Sequence, residues 1–135
     1  MPEYVLQPPP APADPPELDD SQRAVVEHEG GPLLVLAGPG TGKTTTLVEL
    51  VVDRVARRDM RPEDALVLTF SRKAAQELRA RIARRLPGHG VVPAMTFHSY
   101  CYALVRASSS PEDFADPVRL LSAPEQEWRI AEVLL

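Results

Sequence analysis

The sequence predicts an α/β domain built on a parallel sheet, and three observations carry that reading. Residues 33–37, Leu-Leu-Val-Leu-Ala, form a short continuous apolar run, the signature of a strand buried on both faces. Two further runs, at residues 64–70 and 91–97, alternate with segments whose apolar residues recur at helical spacing. Hydrophobic residues make up 44% and charged residues 25% of the 135, an ordinary globular balance. Strand and helix in alternation call for parallel strands joined by helical crossovers.

Each element follows in order. Residues 1–17 hold seven of the fifteen prolines, including Pro8-Pro9-Pro10. Proline lacks a backbone donor and restricts its predecessor, so this segment is expected to be an extended, poorly ordered tail. The domain proper is expected over residues 18–135. Asp19 can cap a short helix running to about His28, with Gln22 at capping-box spacing. Gly30-Gly31-Pro32 then breaks the chain before the first strand. A helix from about Lys43 to Arg58 carries an apolar row of Leu47, Val51 and Val55, with Val48 and Val52 beside it. The second strand covers residues 64–70. Ser71 suits the N-cap of the next helix, which would bury Ala75, Leu78, Ile82 and Leu86. Pro87-Gly88-His89-Gly90 is a turn. Pro93 interrupts the third strand near its start, which argues for an edge or for late entry into the sheet. His98 to Arg106 reads as helix and residues 108–117 as a polar loop. Ser122-Ala123-Pro124-Glu125 is a second capping box, opening a helix with Trp128, Ala131 and Leu135.

Charge is uneven along the chain. The net value is −4, yet residues 54–85 hold ten bases against four acids. A locally basic face suits a polyanionic partner. No apolar run is long enough to cross a bilayer, and no export signal opens the chain. Cys101 is the single cysteine, so no internal disulfide can form. A cytoplasmic location is the expectation.

The first strand runs into Ala37-Gly38-Pro39-Gly40-Thr41-Gly42-Lys43-Thr44, followed by Thr45 and the helix. This is the relaxed P-loop pattern, with alanine at the first glycine position. Gly38, Gly40 and Gly42 open turn conformations in which successive N–H groups face a phosphate. The helix that follows adds its N-terminal dipole. Lys43 can reach the β- and γ-phosphates, and the Thr44 hydroxyl can ligate Mg²⁺. The fold class is therefore that of a P-loop NTPase, a partial RecA-like parallel sheet flanked by helices.

Four motifs in order make the reading more specific. Leu18-Asp19-Asp20-Ser21-Gln22 resembles the Q motif of UvrD/Rep-type superfamily 1 DNA helicases, at the family's distance from the P-loop. The run from Thr69 to Ile82, TFSRKAAQELRARI, resembles their motif Ia, and Thr96-Phe97-His98-Ser99 their motif Ib. The wording is nearest to bacterial UvrD-like and AdnA/RecB-like repair helicases. The resemblance implies an ATP-dependent helicase acting in DNA repair or recombination, with ATP and Mg²⁺ as its cofactors. It assigns Gln22 to the adenine edge, where a side-chain amide matches adjacent donor and acceptor. It assigns Thr69, Phe70, Arg72, Thr96, Phe97 and His98 to a track for single-stranded DNA, by stacking and phosphate contact. Two departures stand out. Many family members have arginine where this chain has Thr45, and asparagine where it has Arg72.

Hydrolysis in this class also needs a strand-end Asp-Glu pair and arginines from a second motor domain. None of the three strand candidates ends in such a pair. The helical pattern is still apolar at Val133-Leu134-Leu135. These features predict the N-terminal portion of a longer helicase, truncated before its Walker B strand, which alone hydrolyses ATP poorly or not at all. The remainder of that chain or a partner subunit would complete it. The alternative is a stand-alone, non-catalytic ATP-binding module completed by a partner. A small P-loop kinase leaves motifs Ia and Ib unexplained.

Overall fold

A computed structural model describes residues 14–110 and 121–134. Met1–Tyr100 and Cys101–Leu135 form separate compact units. The order of elements is α1 (Asp20–Glu27), α2 (Lys43–Arg57), β1 (Val67–Thr69), α3 (Arg72–Arg85), β2 (Ala94–Thr96), α4 (Phe97–Ser108) and α5 (Ala123–Leu134).

Helix α1 starts where the capping box places it. The Asp19 carboxylate accepts from the Gln22 N–H at 2.8 Å, and Gln22 Oε1 accepts from the Asp19 N–H at 3.1 Å. Val26 is its buried residue, turned inward as α1 packs on α2. Helix α2 buries Val48, Val51 and Val55, with Leu47 and Val52 partly covered. It closes at Asp59, which takes a left-handed φ of 52°. The Met60 N–H reaches back to the Arg54 carbonyl at 3.1 Å, satisfying one terminal acceptor.

Ser71 caps α3, its Oγ accepting from the Ala74 N–H at 3.1 Å. Leu78, Ile82 and Leu86 then fill the space between both strands and α2, with Val67, Val92 and Ala94 opposite. Ile82 is 2% exposed, so truncating it to alanine costs about 2–5 kcal/mol. The strands pair in parallel with Val67 opposite Ala94, Leu68 opposite Met95 and Thr69 opposite Thr96. Pro93 enters this ladder by its carbonyl alone, accepting from the Val67 N–H at 2.9 Å. That is the late entry expected of a residue with no donor.

The structure departs from the sequence reading in four places, one being the third strand, which covers only Ala94–Thr96 of residues 91–97 while Phe97 opens α4. Residues 33–37 form no ladder, and Leu34 and Leu36 are 84% and 88% exposed. Apolar composition marks a run for burial, but a strand also needs a neighbour for its N–H and C=O groups. Among the described residues none pairs with this run. The second strand is shorter than residues 64–70. Pro62–Asp64 form a 3₁₀ turn instead, clamped by Arg61 bonding both Asp64 oxygens at 2.8 and 2.7 Å. In the second unit Glu125 accepts from the Ser122 N–H at 2.7 Å, one of the two contacts of the expected capping box. Yet α5 holds no buried residue, and Trp128 is 60% exposed. Of the tail, residues 14–17 are exposed and irregular, while residues 1–13, 111–117 and 135 lie outside the described residues. Among the described residues no helix is long and apolar enough to cross a membrane.

Candidate functional site

The glycine loop is held by its own side chains. Gly40 and Gly42 both sit at φ 77°, where a side chain is strained. A Cβ on Gly40 would meet nothing within 4 Å, so conformation alone calls for glycine there. A Cβ on Gly42 would also come within 2.6 Å of Gln22 Nε2. Thr41 Oγ1 braces the turn by donating to the Gly38 carbonyl at 2.9 Å. Gly42 is the N-cap of α2, and its carbonyl accepts from the Thr46 N–H at 2.9 Å.

Lys43 curls over this loop. Its ammonium donates to the Ala37 carbonyl at 3.2 Å and to the Gly38 carbonyl at 2.6 Å. A cation, a helix N-terminus and a glycine turn thus meet at one point, as anion binding requires. Thr44 is exposed, and its hydroxyl engages no partner among the described residues. It opens onto a cleft of about 170 Å³ shared with Lys43, Thr69 and Glu77. These groups fit a Mg²⁺-bound triphosphate. Phosphate oxygens can replace the backbone carbonyls on Lys43, and a hydroxyl stands beside them for the cation. Pro39 is exposed on the same loop. Thr45 is not brought to this cleft. It lines another, with Glu49, Arg81 and Arg84.

Gln22 touches the loop directly. Its Nε2 donates to the Thr41 carbonyl at 3.1 Å while its Oε1 remains in the capping box. Asp19, which completes that box, has its carboxyl held below the ordinary aspartate range. The Ser21 hydroxyl is the first cause and the Gln22 backbone N–H the second.

A second surface lies where β1 and β2 end. Phe70 is 87% exposed and Phe97 is 41% exposed. Their ring centroids lie 5.1 Å apart with planes tilted by 34°. Arg72 and His98 are exposed beside them in sequence, and Thr69 is half-buried. Thr96, expected to face the same track, is turned inward. It is buried, and its Oγ1 accepts from the Ser99 N–H at 3.1 Å and lies 2.9 Å from Ser99 Oγ. The residue after a short strand here opens a helix, and the hydroxyl is taken up in capping α4.

The ion pairs made by α2 escaped the sequence reading. Glu49 on α2 holds Arg85 on α3 in a two-point bridge, and Asp53 holds Arg58 at 2.8 Å. Glu49 and Asp53 stand four apart on α2, a spacing that reads equally well as a solvated face. Only the tertiary packing shows that this face is covered. Arg58 also reaches Glu29 at 3.1 Å, tying the end of α2 to the segment after α1.

Comparison with known proteins adds an independent line. A family model described as the UvrD/REP helicase N-terminal domain matches residues 18–134. The ATP-dependent DNA helicase UvrD1 of Mycobacterium leprae is 44% identical over 96 residues, which is 69% of this chain and 12% of that protein. The ATP-dependent DNA helicase UvrD2 of Mycobacterium tuberculosis is 41% identical over 95 residues, 66% of this chain and 14% of its own length. The ATP-dependent DNA helicase PcrA of Staphylococcus epidermidis is 30% identical over 118 residues, 87% of this chain and 16% of its own. The chain therefore spans less than a fifth of the curated relatives it matches.

Proposed function

The chain belongs to the UvrD/REP helicase N-terminal domain family, and on that premise we propose that it is the ATP-binding portion of an ATP-dependent DNA helicase. Such a helicase moves along single-stranded DNA, and repair or recombination is the setting assigned here. The observation that carries the reading is Lys43 folded over a glycine loop at the mouth of α2. Lys43 takes the phosphates, and the N–H groups of Gly38, Gly40 and Gly42 line them. The Thr44 hydroxyl would hold Mg²⁺, which when bound would supply positive charge against the phosphates. Gln22 faces the adenine edge with the hydrogen-bonding capacity left over from its cap. Phe70 and Phe97 offer the stacking platform for bases, with Thr69, Arg72 and His98 beside them for the backbone. Thr96 serves that platform from behind, by capping α4. The remainder of the helicase chain, or a partner subunit, supplies the carboxylate pair and the arginines that hydrolysis needs.

The test is ATP hydrolysis by the full-length protein with and without single-stranded oligothymidine. DNA is expected to stimulate hydrolysis, and Lys43→Ala to lower the stimulated rate about a hundredfold or more. Hydrolysis indifferent to DNA, or unchanged in Lys43→Ala, rejects the proposal.

A further inference from the structure

Among the described residues, Gln22 is the one side chain outside the glycine loop and α2 that bonds to the loop, and both ends of its amide are in use. Oε1 accepts from the Asp19 N–H at 3.1 Å and Nε2 donates to the Thr41 carbonyl at 3.1 Å. The two contacts fix which way the amide points, since a flipped amide would set its NH₂ against an N–H and its oxygen against a carbonyl. Thr41 immediately precedes Gly42, which holds φ 77° at the N-cap of α2, where a Cβ would come within 2.6 Å of Gln22 Nε2 and displace the amide.

We infer that Gln22 is a positioning residue for the phosphate loop: it ties the cap of α1 to Thr41-Gly42 and so holds the loop in shape for phosphate whether or not a base is present. This rests on the ATP-binding reading above and deepens it. A side-chain amide has two acceptor sites and two donor hydrogens. One of each is committed here, and one of each remains for an adenine edge. The two duties therefore coexist, and they separate experimentally because only one of them needs the base.

The probe is Mg²⁺-tripolyphosphate, which has the phosphate chain and no base, measured beside Mg²⁺-ATP by calorimetry on the full chain. Gln22→Met keeps length and neutrality but loses both hydrogen bonds. Tripolyphosphate affinity is expected to fall about fivefold, the scale of one lost hydrogen bond. A fall for ATP with tripolyphosphate unchanged overturns the inference, because Gln22 then serves the base alone. A wild-type chain that binds neither ligand sinks the ATP-binding reading itself, and this inference with it. Should Gln22→Met lose α1, Gln22→Glu restores the acceptor for the Asp19 N–H while still lacking the donor for Thr41. Its readout is hydrogen exchange, which added charge biases less than it biases anion binding. Faster exchange at the Thr46 amide, which bonds to the Gly42 carbonyl at 2.9 Å, with the interior of α2 unchanged, supports the inference. Unchanged exchange at Thr46 overturns it.

Discussion

Glu49 and Arg85 face each other across the α2–α3 interface, with Nε to Oε1 at 2.9 Å and Nη2 to Oε2 at 2.9 Å. Their side chains are 11% and 15% exposed, so the pair is largely out of water. Its Glu49 partner raises the affinity of the Arg85 guanidinium for its proton, the hydrogen bond being the first cause. A pair in this position is costly to half-remove, because the survivor loses its two-point partner while staying largely out of water. Glu49→Met or Arg85→Met alone is expected to lower stability by about 3 kcal/mol, read from the midpoint of urea unfolding. The double substitution is expected to recover most of that loss. Single variants within about 0.5 kcal/mol of wild type would show that the bridge is idle.

Thr44 and Lys43 are neighbours at the start of α2, yet their expected losses differ. The Thr44 hydroxyl has no structural partner among the described residues, so Thr44→Val removes it without disturbing α2. Wild-type ATP affinity is expected to rise with Mg²⁺. In Thr44→Val that gain is expected to shrink about tenfold, while affinity without Mg²⁺ is unchanged, as titration with a fluorescent ATP analogue will read. An equal loss with and without Mg²⁺ would assign the hydroxyl to phosphate instead.

The cap of α1 gives a pH dependence with a definite sign. The Asp19 carboxyl lies below its ordinary value of 3.8, because the Ser21 hydroxyl and the Gln22 N–H bond its charged form. A depressed folded-state pKa contributes stability above the unfolded value and loses it as pH falls through the folded one. Exchange protection of the Gln22 amide is therefore expected to hold at pH 4 and above and to decline below 3.8. In Asp19→Asn, which caps nearly as well, that decline is expected to vanish. A Gln22 amide whose protection falls already above pH 4 speaks against a stabilised carboxylate.

Local chemistry was the legible part of this molecule. Asp19 with Gln22, Ser71 and Pro93 each act through a backbone group a few residues away, or through the donor they lack. Such effects are written in the sequence at fixed offsets. Ala75, Leu78, Ile82 and Leu86 were legible for the same reason, since a helical stripe repeats at a fixed period. Residues 33–37 misled because pairing is a property of two segments, and the apolar run speaks only for one. Thr96 misled because a hydroxyl at a strand end can face a ligand or cap the next helix, and the sequence does not choose. The Gln22–Thr41 bond spans 19 positions and the Glu49–Arg85 pair 36, so neither leaves a local signal.

Phe70 and Phe97 make the sharpest functional prediction, since their exposure separates folding from binding. Phe70 is 87% exposed, so its removal strips little buried area from the fold. Phe70→Ala is expected to change unfolding stability by less than about 0.5 kcal/mol. If the ring takes a base, the same change weakens single-stranded DNA binding by about 1–3 kcal/mol, or roughly fivefold to a hundredfold. Fluorescence anisotropy with oligothymidine, at several salt concentrations, distinguishes this from a phosphate contact. Loss of stacking leaves the salt slope where it was, whereas Arg72→Ala is expected to flatten that slope by about one unit. Phe97 is half-covered, and its ring leans on Phe70, so Phe97→Ala is expected to cost both stability and affinity. Affinity unmoved by Phe70→Ala would remove the platform from the DNA track and leave the paired rings a packing role at the end of the sheet.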